Sequence, residues 1–152
     1  MPAASHENDG TLVSIGYEGK TVGDLVAQLL DQDVRVLVDV RLTPLSRKPG
    51  LSKTKLAVAL EAAGIRYVHH RALGNPKDNR AGFRAGEAES VARYRAVLET
   101  ADATDALAHV CELLDGGAVA LLCFEHDHAD CHRYIVVDRV LETRPQALVV
   151  HV

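Results

Sequence analysis

The chain has 152 residues, 47% of them hydrophobic, enough for one compact domain with a real core and too few for two ordinary ones. Its formal net charge of −4 excludes an extensive basic face for sequence-blind adhesion to nucleic acid or anionic lipid, and leaves room for a local basic pocket. No window reaches the roughly 18 apolar residues that span a bilayer, and three cysteines without an apolar leader are expected to be free thiols in a cytoplasmic protein.

Residues 1–10 are small, polar and unpatterned, the signature of a disordered tail, so a single α/β domain is expected over 11–152. Aromatics make up 4% of the chain and Trp is absent; the core must come from Val, Leu, Ile and Ala, as in parallel sheets covered by helices. Residues 12–16 are a short apolar run closing on Gly16 and the turn Tyr17-Glu18-Gly19, which reads as a buried strand. Thr21 with Asp24 resembles a capping box and opens an amphipathic helix carrying Val22, Leu25, Val26, Leu29 and Leu30. Residues 34–40 are β-branched and apolar on both faces, a central parallel strand with Asp39 and Arg41 at its end. A loop rich in Pro44, Pro49, Gly50, Arg47 and Lys48 follows, and Ser52 caps a helix that runs to about residue 63 and stops at Gly64.

Residues 65–70 form the third strand, and 71–86, with Gly74, Pro76 and Gly82, a long polar loop of the kind that often carries function. Two helices follow, over 87–99 and 104–114, ended by Gly116-Gly117. Strand four covers 118–124, a polar turn 125–130, a helix 131 to about 143, and a last strand 148–151. This order implies a mainly parallel sheet of about five strands, helices on both faces, and a site at the carboxyl edge.

Cys131 is placed in the first turn of its helix, where backbone N–H groups and the helix dipole favour a thiolate. It is the candidate nucleophile, with His132 and Glu18 handling protons. The alternative is a packed helix-start residue, with Arg133 holding a carboxylate. Arg41, Arg47, Lys53 and Arg133, with Tyr17 and Asp39, are the candidate ligand-binding residues for a phosphate- or carboxylate-bearing ligand. Against this stands an ion pair of Arg41 with Asp39 or Glu18 that merely fixes the strand end. Cys123, His126, His128, Cys131 and His132 put five potential metal ligands within ten residues, although the spacing fits no standard finger. No P-loop or dinucleotide fingerprint is present, and no cofactor or resident metal is expected.

Ser14 to Gly19, Leu37 to Arg41, the loop with Pro44, Arg47, Pro49-Gly50 and Ser52-Lys53, Tyr67-Val68-His69, Leu73-Gly74, Leu121 to Cys123 with Glu125, and Cys131-His132-Arg133 come in an order that resembles the family known as domain of unknown function 488. The resemblance implies an α/β domain whose Tyr-Glu, Asp-Val-Arg and Cys-His-Arg segments share a pocket, and it carries no established reaction. Leu51 stands where that family often has an aromatic residue, and His126 and His128 are not part of its pattern. Asp39-Val40-Arg41 with a later cysteine is also superficially similar to rhodaneses and cysteine phosphatases. Those enzymes place the arginine several residues after the cysteine, whereas Arg133 follows Cys131 by two. The expectation is therefore an anion-binding pocket protein with thiol-based catalysis. The rivals are a non-enzymatic module that grips nucleic-acid or nucleotide phosphates, and a metal-binding protein.

Overall fold

In the computed structural model, which describes residues 10–152, all five strands lie in one sheet and every pairing is parallel. The strands are β1 (Thr11–Gly16), β2 (Val34–Asp39), β3 (Arg66–His69), β4 (Ala118–Cys123) and β5 (Leu148–His151). They run in the order β3-β2-β4-β1-β5. The helices are α1 (Val22–Asp31), α2 (Lys53–Ala62), α3 (Arg80–Arg84), α4 (Ala88–Val97), α5 (Ala101–Leu114) and α6 (Arg133–Thr143). The expected tail lies outside the described residues except for Gly10, whose carbonyl accepts from the Leu148 amide at 2.9 Å.

Because successive side chains of a strand point to opposite faces, the apolar strands feed two separate cores. Val13, Ile15, Leu37, Ala120 and Leu122 pack with Leu25 and Leu29 of α1 and Leu56 and Leu60 of α2. Leu12, Val38, Val119 and Leu121 pack on the other face with Tyr94 of α4, Val110 of α5 and Ile135 and Val136 of α6. Each such Val, Leu or Ile side chain contributes about 1.5–3 kcal/mol when fully buried.

The Thr21–Asp24 capping box is present, with Thr21 Oγ1 accepting from the Asp24 amide and Asp24 Oδ2 from the Thr21 amide, both at 3.0 Å. Ser52 does precede α2, but its hydroxyl turns to the preceding loop: it donates to the Ser46 carbonyl at 3.1 Å and accepts from the Ser46 amide at 2.9 Å. Instead of one structureless loop, residues 71–86 hold two 3-10 turns and the short helix α3. Helix α5 begins three residues earlier than its apolar pattern suggests, because Thr100 caps it by accepting from the Ala103 amide.

Helix α6 begins two residues later than expected. The 3-10 turn His128–Asp130 takes up the chain before it, the Cys131 amide donates to the His128 carbonyl, and Cys131 is left extended at φ −115°. Cys131 is therefore not in the first turn of a helix, and the dipole argument for its thiolate falls with that placement.

Candidate functional site

A parallel sheet delivers every strand's carboxyl end to one edge, and the ladder continues beyond the strands. Tyr17 and Glu18 amides donate to the Cys123 and Phe124 carbonyls at 3.1 and 2.8 Å, and the Val40 amide donates to Leu122 at 3.1 Å. The neighbours β2 and β4 send their following helices α2 and α6 to opposite faces, which opens a crevice between them. A pocket of about 230 Å³ occupies it, lined among others by Tyr17, Arg41, Asn75, Arg80, Arg84 and Cys131. Phe83, Cys123, Glu125, Asp130 and His132 complete its character.

Close backbone approach shapes this edge. A Cβ on Gly16 would collide with the carbonyl of Glu125, and one on Gly74 with the backbone of Leu42. Tyr17 is buried, meets Phe124 edge to face at 5.4 Å and lies 5.2 Å from the Arg41 guanidinium.

Asp39 and Arg41 form the buried pair that the alternative reading describes. Asp39 Oδ1 accepts from Arg41 Nε at 2.8 Å and Oδ2 from Nη2 at 2.7 Å, while Arg41 Nη1 reaches the Leu51 carbonyl at 2.8 Å. Burial alone would lower the Arg41 pKa, but the hydrogen bonds and charge of Asp39 raise it above its ordinary value. Tyr67 donates to Asp39 Oδ2 at 2.6 Å, and burial together with that carboxylate pushes its phenol up. Arg41 thus lines the pocket with most of its donors already committed, and Asp39 fixes it there.

On the floor, His132 Nε2 lies 2.9 Å from the Val40 carbonyl. A carbonyl only accepts, so Nε2 carries the proton and Nδ1 presents its lone pair to Cys131 Sγ at 3.6 Å. Burial pushes the imidazole down to about 4, so it is neutral near pH 7. The Tyr94 ring packs against it at 5.1 Å.

The free-thiol expectation needs correction: Cys123 and Cys131 are joined as a disulfide, with Cα atoms 7.3 Å apart, and Cys111 is the free, buried cysteine. A strand end and a loop eight residues on meet because the chain folds back over β4. Cys123, counted from the sequence among the possible metal ligands, is buried and also reaches the pocket.

Arg133 behaves differently from its neighbours. It is fully buried; Nε donates to Ser14 Oγ at 2.8 Å, Nη1 to Cys123 Sγ at 2.8 Å and to the Glu125 carbonyl at 2.7 Å, and Nη2 to His126 at 3.4 Å. Burial lowers its pKa to about 10, opposed by Glu125 and Asp127, so it remains charged near pH 7. It organises the 123–126 turn from beneath and lines a separate cleft with Ser14, His128 and His151.

Glu18 is exposed and does not line the pocket; its Oε1 accepts from the His126 amide at 3.0 Å and steadies the same turn. Arg47 and Lys53 are exposed on a shallow groove formed by residues 45–55, apart from the Cys131 pocket except for the shared Leu45. Of the nine expected site residues, Tyr17, Arg41, Cys131 and His132 line one pocket.

Sequence reading missed Asn75, Arg80, Phe83 and Arg84, all from the long polar loop. The only available signal was the spacing of Arg80 and Arg84, one helical turn apart. Arg80 Nε donates to the Asn75 carbonyl at 3.3 Å, and Arg84 pairs with Glu125 Oε1 at 3.0 Å. Among the described residues, Cys123, Cys131 and His132 form the one cluster with metal-ligand spacing; His126 and His128 do not join it.

No described helix is long and apolar enough to cross a membrane. No curated protein and no solved structure matches the chain. Residues 21–140 match the family described as Domain of unknown function DUF488, a span that holds every segment of the site except the β1 turn, and the chain belongs to that family.

Proposed function

We propose that the chain binds a small phosphate- or carboxylate-bearing ligand in the pocket at the carboxyl edge of its sheet. The carrying observation is that Arg80 and Arg84 line this pocket together with Arg41, above the Cys131–His132 floor. Asp39 holds Arg41 and Glu125 holds Arg84, so Arg80, whose Nε donates to the Asn75 carbonyl, is the guanidinium whose remaining planar donors suit an anion. A volume of about 230 Å³ falls below the usual range of about 300–1,000 Å³ for drug-sized sites. It suits a single anionic group with a short body.

Calorimetric titration of the purified protein with inorganic phosphate and with malonate tests this reading. Saturable binding is expected, weakened about tenfold by Arg80→Ala or Arg84→Ala, the worth of one charge-assisted hydrogen bond. Arg47→Ala and Lys53→Ala leave it unchanged. No saturable binding, or binding lost on Arg47→Ala instead, refutes the pocket and favours a phosphate grip on the 45–55 groove.

A second reading, thiol-based catalysis, is favoured by the 3.6 Å contact between Cys131 Sγ and a neutral His132 Nδ1. In the reduced protein the sulfur forms a bond to the phosphorus or acyl carbon of a bound phosphoester or acyl ester, the bond to the ester oxygen breaks, and His132 relays the thiol proton to that leaving oxygen. Labelling of the reduced chain with iodoacetamide checks it. Cys131 should react faster than Cys111, and His132→Gln should abolish the difference; equal rates would end this reading.

A further inference from the structure

We propose that the floor of the pocket is a binding site for a divalent metal ion of the zinc class, held by Cys123 Sγ, Cys131 Sγ and His132 Nδ1, with a fourth position open to the pocket. The pocket reading enters only through what occupies that fourth position; the three protein ligands stand on their own geometry.

The three donor atoms lie within 4.8 Å of one another and all three residues are buried. Ligand bonds of about 2.3 Å to sulfur and about 2.1 Å to nitrogen, at a tetrahedral angle, put the two donors about 3.6 Å apart. Cys131 Sγ and His132 Nδ1 are 3.6 Å apart. The histidine is also oriented as a ligand. Its other nitrogen donates to the Val40 carbonyl at 2.9 Å, the outer bond that fixes the tautomer and ring plane of metal-bound imidazoles.

Both sulfurs are addressed by N–H donors. Arg133 Nη1 donates to Cys123 Sγ at 2.8 Å and the Arg133 amide to Cys131 Sγ at 3.4 Å. Such donors stabilise thiolate, the form a metal binds. With a divalent cation between them, two thiolates cancel the charge of the ion, and the Arg133 guanidinium balances the Glu125 carboxylate beside them.

The Cα separation of Cys123 and Cys131, 7.3 Å, lies outside the usual range of about 4.4–6.8 Å for bridged cysteines. Two sulfurs on one tetrahedral ion stand about 3.8 Å apart. Opening the disulfide by two-electron reduction, which adds two electrons and two protons from a dithiol reductant, and turning the side chains apart makes that space. Binding then releases both thiol protons and consumes no oxidant.

The donor set is two cysteines and one histidine, with Glu125 Oε2 3.5 Å from Cys123 Sγ. Catalytic zinc sites keep three protein ligands and leave one position for water or substrate. Cys123, Cys131 and His132 line the same pocket as Arg80 and Arg84.

The test uses the full chain, reduced with a phosphine and kept free of oxygen. It is titrated with Co²⁺, then with Zn²⁺, and read by absorption and by metal analysis after dialysis. One equivalent per chain is expected, with the visible bands of a tetrahedral cobalt centre and thiolate charge-transfer bands, both erased by Zn²⁺. Cys123→Ser and Cys131→Ser should each weaken binding by at least about 100-fold, more than the loss of an outer-shell partner. His126→Gln and His128→Asn should bind as the parent does.

Should a cysteine variant fail to fold, alkylation of the parent answers the same question: Zn²⁺ should protect Cys123 and Cys131 and leave Cys111 unchanged. A reduced chain that binds no cobalt, a cobalt spectrum that survives in Cys123→Ser/Cys131→Ser, or absent protection overturns the proposal. Phosphate titration of the metal-free chain separates the two readings. Phosphate without cobalt leaves the pocket and removes the metal; cobalt without phosphate does the reverse.

Discussion

Replacing Gly16 by Ala probes the contact on which the whole site edge depends. Gly16 closes β1 opposite Cys123, and its missing side chain is where the Glu125 carbonyl lies. The obstructing atom is backbone: Arg133 Nη1 holds the Glu125 carbonyl at 2.7 Å, and the Tyr17 and Glu18 amides hold the preceding Cys123 and Phe124 carbonyls. It cannot rotate away as a side chain would. Overpacking costs about 1–3 kcal/mol, and the rigid partner puts this substitution near about 3 kcal/mol. At about 2–4 °C per kcal/mol for a chain of this size, Gly16→Ala should melt about 6–12 °C below the parent in a differential scanning experiment. The 123–126 turn must shift to admit the methyl group, so phosphate affinity should fall about tenfold, the loss of one well-placed charged contact. A melting point within about 2 °C of the parent, or a destabilised protein with unchanged phosphate affinity, would refute the close-approach argument.

Three further perturbations separate scaffold from site. Asp39→Asn leaves the buried Arg41 charge without its carboxylate and should cost about 3–5 kcal/mol; urea unfolding showing a loss under about 1 kcal/mol would contradict the pairing. Tyr94→Phe strands the buried Leu73 carbonyl, which accepts from the phenol at 2.6 Å, for a loss of about 1–3 kcal/mol. A neutral outcome in the same assay would mean that α4 is held by packing alone. His128→Asn keeps an acceptor for Ser14 Oγ, now 2.7 Å from His128 Nδ1, and removes a titrating group. Burial, then His151 and Arg133, push His128 from its ordinary 6.5 down to about 4. The unfolded chain therefore binds the proton first, and the stabilisation present above pH 6.5 is lost as pH falls toward 4. Discounted for the ring's partial exposure, the parent should lose about 1 kcal/mol more than the variant between pH 7 and pH 5. Equal losses would refute the shift.

The three central strands were legible because both of their faces are buried: Leu37-Val38 and Leu121-Leu122 read as continuous apolar runs whichever way each side chain points. Helices with one polar face and a capping residue were legible too, as Thr21 and Asp24 illustrate. What failed to show is polar structure held by the tertiary fold. Helix α3 spans five residues with a single buried apolar side chain, Phe83, so no periodicity marks it. Its arginines gain meaning only when the loop returns across the crevice. Cys123 sits in an apolar run, and nothing local says that its sulfur faces a pocket. Arg133, the third member of a triplet that looks like one unit, is turned away by helical geometry into a buried bracing role. Family resemblance named the segments that meet; only coordinates distinguish those lining the pocket from those supporting it.

The strand order also constrains how the protein is made. β1 pairs with β4 and β5, and β2 with β3 and β4, so the first two strands never touch each other as partners. While the chain emerges from the ribosome amino end first, β1 waits for residues more than a hundred positions downstream before its first ladder can close. Long-range parallel pairing is slow to nucleate, and its unpaired edges invite association in the interval. The turn joining Tyr17 to Cys123 is therefore assembled among the last features of the fold, and a nascent chain stalled before residue 118 carries α1 and α2 with no central strand to bring the two halves of the pocket together.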